Sequence, residues 1–139
     1  MAEGIVKNPL AALAPERLTT GTTAGNFAAN VNAGIITDVA TEVATGSSTI
    51  HIFRTGNVVM VNCTLAISNN VTISADTPLF TLPEGARSVT ALYAPVYDSD
   101  RHVLASRGVS MAQDTGVVTL RTTTATSGSI RMTLVYIAN

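Results

Sequence analysis

From Thr49 onward, apolar and polar residues alternate with a period of two, the periodicity of strands that bury one face. In "TIHIFRTGNVVMVNCTLAI", Ile50 and Ile52 alternate with His51 and Phe53, Thr55-Gly56-Asn57 supply a turn, and Val59, Val61, Cys63, Leu65 and Ile67 share one face. That pattern predicts a β-hairpin. Further strands are expected at residues 71–74, 78–83, 89–97, 102–111 and 117–121. They are separated by turn sequences at Ser68-Asn69-Asn70, Pro83-Glu84-Gly85, Asp98-Ser99-Asp100 and Gln113-Asp114-Thr115-Gly116. After a loop at 122–127, a last strand puts Ile130, Met132, Leu134 and Tyr136 on one face and Arg131, Thr133, Val135 and Ile137 on the other.

Seven or eight short strands with turn residues between them, and no long helical pattern, predict an all-β fold: an antiparallel β-sandwich of jelly-roll type. The last strand is apolar or neutral on both faces, so one face fills the sandwich and the other needs a second cover, which sister subunits would supply. Residues 1–45 read differently, as an extended N-terminal arm ahead of a sandwich domain at 46–139. Pro9 and Pro15 bracket a helical turn or two at most, and residues 18–37 carry no charge. Two readings stand: a leader too poor in apolar residues to order itself, and an arm that lies extended in another subunit's groove. On the second, Ile5, Leu10, Leu13, Phe27, Val31, Ile35 and Ile36 are its apolar anchors.

Composition sharpens the picture. The 139 residues make one domain, 46% hydrophobic but only 12% charged, with twenty-one threonines, against about 25% charged residues in a typical soluble domain. Either a threonine-rich β surface or a surface buried against sister chains accounts for that. A net charge of -1 gives no electrostatic footprint for nucleic acid. No basic leader or long apolar run directs membrane insertion.

Candidate chemistry is sparse. Cys63 is the single cysteine and sits on the apolar phase of its strand, where a thiol is inert, so pairing with His51 or His102 for catalysis is not expected. Asp98 and Asp100 flank a turn with too few oxygens for calcium and with Arg101 alongside. No nucleophile elbow, phosphate loop or zinc-protease motif occurs, so neither an enzyme nor a cofactor is expected. Tyr97, Asp98, Asp100 and His102, with Tyr93 and Arg101 nearby, form the candidate receptor loop, where exposed aromatics would stack on sugar rings.

The order of Gly56-Asn57-Val58-Val59, Leu82-Pro83-Glu84-Gly85-Ala86-Arg87, Gly116-Val117-Val118 and the strand from Ile130 to Ile137 resembles the C-terminal β-sandwich domain of tailed-phage fibre and baseplate proteins, over about residues 48–138. The resemblance implies a homotrimeric, non-enzymatic virion protein assembled in the host cytoplasm. On that reading its arm docks to capsid, collar, baseplate or tail; the alternative it offers is a host-receptor or glycan-binding module that uses the loop ends of the same sandwich.

Overall fold

The computed structural model describes residues 27–68, 71–98, 108–121 and 128–138. The hairpin forms as the pattern predicts, from β1 (Thr49–Thr55) and β2 (Val58–Ala66). Its two-residue loop is Gly56-Asn57, with Gly56 at φ 59° and Asn57 at negative φ, the arrangement of a type II′ turn whose twist matches the flanking strands. Arg54 closes the turn by donating from Nε to the Gly56 carbonyl. β7 (Ser129–Ile137) pairs antiparallel with β2 over nine residues, from Val58↔Ile137 to Ala66↔Ser129. These three strands make one sheet, in the order β1-β2-β7.

The second sheet has the order β3-β6-β5-β4, built from β3 (Thr77–Thr81), β4 (Leu92–Ala94), β5 (Val109–Met111) and β6 (Val117–Leu120). A register shift between Pro78 and Phe80 lets β3 bury Leu79 and Phe80, neighbours that strict alternation would send to opposite faces. Between the sheets lies the core: Ile50, Ile52, Val61 and Leu134 from one side, Phe80, Met111, Val118 and Leu120 from the other, none more than 1% exposed. The protein is thus an all-β sandwich of two antiparallel sheets.

Two expected strands differ. Residues 71–74 form no strand; Val71 N–H turns back to the Ser68 carbonyl, and Ile73 is buried. The stretch 89–97 is not one strand but a crossing between sheets. Val89 N–H bonds the Ile137 carbonyl, Leu92–Ala94 pairs with β5, and Tyr97 returns to exchange two backbone bonds with Arg131. Gly108 permits the crossing: at φ 64°, a Cβ there would stand 1.9 Å from the Ala94 carbonyl oxygen. Of the expected strand at 102–111, the residues before 108 lie outside the described ones.

The arm is the main correction. Phe27–Asn32 is a short helix, α1, ended by Gly34 at φ 73°, with Gly34 N–H on the Val31 carbonyl and Ile35 N–H on the Asn30 carbonyl, a Schellman cap. Phe27 is fully buried and meets Phe80 edge-on, with ring centroids 5.7 Å apart at 83°. Ile36 is fully buried, Ile35 nearly so, and Val31 packs half-buried against the same core. Thr37 then exchanges backbone bonds with Thr81 along the edge of β3, and Ala44 N–H reaches the Ala66 carbonyl at the end of β2. Residues 27–48 therefore strap the two sheets together, and the boundary placed at 45 falls inside the folded unit. Phe27, Val31, Ile35 and Ile36 are core side chains of their own domain, because its apolar interior is the nearest place to bury them. Ile5, Leu10 and Leu13 lie outside the described residues.

Removing residues 1–40 is accordingly expected to cost the fold itself. Phe27→Ala alone should lower unfolding free energy by about 3–5 kcal/mol, measured by urea denaturation; a loss under about 1 kcal/mol would refute the core assignment of Phe27.

Candidate interaction surface

Strand pairing decides which side chains share the outer face of the β1-β2-β7 sheet. Four rows cross it: Thr55, Val58 and Ile137; Phe53, Met60 and Val135; His51, Asn62 and Thr133; Thr49, Thr64 and Arg131. The first two rows are apolar except for Thr55 at one end. Val135 is 62% exposed, Ile137 51% and Val58 42%, with Phe53 and Met60 half-buried between them. Burial alternates strictly along β7, so the expected two-faced strand is present and its outer apolar side chains lie open. His51 and Phe53, two residues apart on this face, stack with ring centroids 6.1 Å apart.

The last row continues past β7. Tyr97 pairs with Arg131, each donating its N–H to the other's carbonyl at 2.9 and 2.8 Å, which sets both side chains on the same side of the sheet. Tyr93, Pro95 and Tyr97 are the exposed phase of their segment, Tyr93 at 75% and Tyr97 at 37%, while Val96 between them is buried. Of the exposed large hydrophobic side chains among the described residues, Val58, Tyr97, Val135 and Ile137 thus fall on β2, β7 and the bridge at β7's far edge, whereas Tyr93 lies on β4, opposite Ser110, on the outer face of the other sheet.

The sequence-derived residues distribute unevenly over this geometry. Tyr97 is at the surface as expected; Asp98 is half-buried beside it, and Asp100 and His102 lie outside the described residues. Arg131 was not singled out by sequence reasoning. Its exposed phase in β7 was legible, but its place opposite Tyr97 depends on a pairing between residues far apart in the chain.

Elsewhere the polar groups serve the fold. Tyr136 donates to the Ala86 carbonyl at 2.5 Å, fastening β7 to the 3-10 turn Glu84–Ala86. Arg121 bridges the buried Ser110 hydroxyl and the Asp76 carboxylate, each at 2.8 Å. Cys63 faces the core opposite Ile50, whereas His51 points to the outer face opposite Asn62, so the two cannot pair. Burial pushes the Cys63 thiol and the Tyr136 hydroxyl well above their ordinary pKa values. No group of three His, Cys, Asp or Glu that could hold a metal occurs among the described residues. Nor is any helix among them long and apolar enough to cross a membrane.

No protein-family model matches the chain, and the search of curated proteins gives no match.

Two outcomes follow from the buried thiol. Cys63 should resist iodoacetamide in the native protein and react promptly in urea. Cys63 contributes no pH dependence to stability below about pH 8.5, where thiols in an unfolded chain begin to ionise. Above that the unfolded state releases a proton the native state keeps, so stability should fall by up to about 1.4 kcal/mol per pH unit, with Tyr136 adding to the slope above about pH 10. Rapid native alkylation, or stability that rises with alkaline pH, would contradict the burial.

Proposed function

We propose that the protein is a non-enzymatic structural component of a tailed-phage virion, a homotrimer of β-sandwiches. The observation that carries this reading is the open apolar half of the β1-β2-β7 face, with Val58, Val135 and Ile137 exposed around Phe53 and Met60. A lone soluble chain rarely leaves such a contiguous patch uncovered, and subunit contacts are where charge is depleted and apolar side chains gather. The scarcity of charge in the whole chain, 12% of residues, supports the same conclusion.

On this reading the sandwiches cohere through the apolar rows, and residues ahead of the core strap, among them Ile5, Leu10 and Leu13, dock the trimer to capsid, collar, baseplate or tail. The resemblance of the strand and turn motifs to phage fibre and baseplate domains supplies the virion setting. Assembly would then take place in the host cytoplasm.

Light scattering on the full chain tests the association directly. The expected mass is three times the 14.4 kDa of one chain, stable on dilution. Val135→Asp, which places a charge in the apolar rows without touching the core, should shift the protein to monomer while leaving its circular dichroism unchanged. A wild-type monomer would remove the reading.

A further inference from the structure

The sheet edges of the sandwich are blunted in different ways, with one exception. Along β3, Thr37 exchanges backbone bonds with Thr81, Ala40 N–H reaches the Leu79 carbonyl, and Pro78 with the register shift interrupts what is left. β4 is three residues long, too short to template another strand. The far edge of β7 is met by Val89 at Ile137 and by Tyr97 at Arg131. β1, outermost in its sheet, has none of these devices among the described residues. It contains no proline or lysine, and its ladder with β2 runs without a shift from Thr49↔Thr64 to Thr55↔Val58. Its cationic side chain, Arg54, is turned back onto the hairpin loop.

The hairpin fixes which groups face that edge. A two-residue loop closes on a pair that exchanges both backbone bonds, here Thr55 and Val58. Phe53, His51 and Thr49 therefore bond β2, and the backbone N–H and C=O groups of Arg54, Ile52 and Ile50 point away from it. Ser48 belongs to the same phase, and its carbonyl accepts from Phe27 N–H at 3.4 Å. The chain ahead of α1 thus ends beside the first outward group of the open edge. A segment lying along β1 and ending there runs antiparallel to it. Phe27 has 26 residues ahead of it, and the last seven of them would span about 23 Å as a strand, the length of β1.

We propose that residues 20–26 dock on the open edge of β1 in their own chain as an added antiparallel strand. Continued from Phe27 and Ser48, the register sets Gly25 against Ile50, Thr23 against Ile52 and Gly21 against Arg54 as bonded pairs. Ala24 then stands beside His51 and Thr22 beside Phe53, small side chains next to the ring stack on the outer face. The composition suits a strand that covers an edge: residues 18–37 carry no charge, and Thr20, Thr22 and Thr23 favour extended backbone. Residues 1–19 leave the domain at the Thr55 end of β1, beside the apolar rows, rather than at Ser48. The inference does not rest on the trimer, and a monomer in light scattering would leave it standing.

Amide hydrogen exchange, read residue by residue on the full chain, tests the pairing. Ile50 and Ile52 should exchange within about tenfold of His51 and Phe53, which bond β2; at a bare edge they would exchange far faster. Thr23→Pro removes the donor to the Ile52 carbonyl and touches no described core side chain, so circular dichroism should match the parent. In that variant Ile50 and Ile52 should speed up about tenfold or more, with His51 and Phe53 unchanged. A second variant, Ala24→Cys with His51→Cys, sets two thiols across a directly opposed pair about 4.5 Å apart at Cα, within disulfide reach. Mild oxidation should link them inside one chain, leaving the mass of a single chain under denaturing, non-reducing conditions. Fast exchange at Ile50 and Ile52 in the parent would overturn the proposal, as would protection that Thr23→Pro leaves intact or a failure to form the disulfide. A disulfide joining two chains would assign the edge to a second copy and overturn the pairing within one chain.

Discussion

Nine consecutive residue pairs between β2 and β7 set the phase of the rest of the structure. Because side chains alternate along a strand, one continuous register fixes at once which residues of both strands fill the core and which stand outside it; a slip of one residue would exchange Leu134 with Val135 and Met132 with Arg131. The inner phase, Val59, Val61, Cys63 and Leu65 against Ile130, Met132, Leu134 and Tyr136, is almost completely buried, so the cost of a slip is the loss of a whole core layer. The outer phase is then placed without choice, and its division into an apolar end and a polar end is inherited from the same register. Fold and surface chemistry are two readings of one alignment.

The second sheet depends on that alignment through its connections. Residues 88–97 leave the edge of β7, pair with β5, and come back to β7 at Tyr97. The strap of residues 27–48 ties the edge of β3 to the end of β2 on the other side of the sandwich. Each sheet is therefore closed off partly by segments that also belong to the other. Such sharing makes the two layers cooperative: neither can open without breaking bonds in its neighbour.

Much of the fold was legible in the sequence where burial leaves a period. The hairpin and the last strand could be read residue by residue, because Ile50, Ile52 and the β2 and β7 alternations report a single buried face. Residues 71–74 alternate just as well, Val-Thr-Ile-Ser, yet form no strand; alternation states a preference that the surrounding packing decides. Phe27 and Ile36 were read as contacts for another subunit because an uncharged stretch with spaced apolar residues looks the same whichever chain buries it. The crossing at 88–97 was invisible for a related reason, since switching sheets is decided by Gly108 and by Ala94 far from it in the chain. Tyr97 was legible as an aromatic near a turn, whereas its juxtaposition with Arg131 is a product of tertiary pairing alone.

The long register also has a consequence in time. β1 and β2 are neighbours in the chain and can close their hairpin in microseconds, but β7 is synthesised about seventy residues later. At about 5–20 residues per second, β2 waits roughly 4–14 seconds with one edge unpaired, carrying Val58, Val59, Val61 and Leu65. During translation this is the hazardous interval, when the nascent edge is available to any other strand in reach. Slow chain elongation lengthens it, and the nine residues of β7 end it.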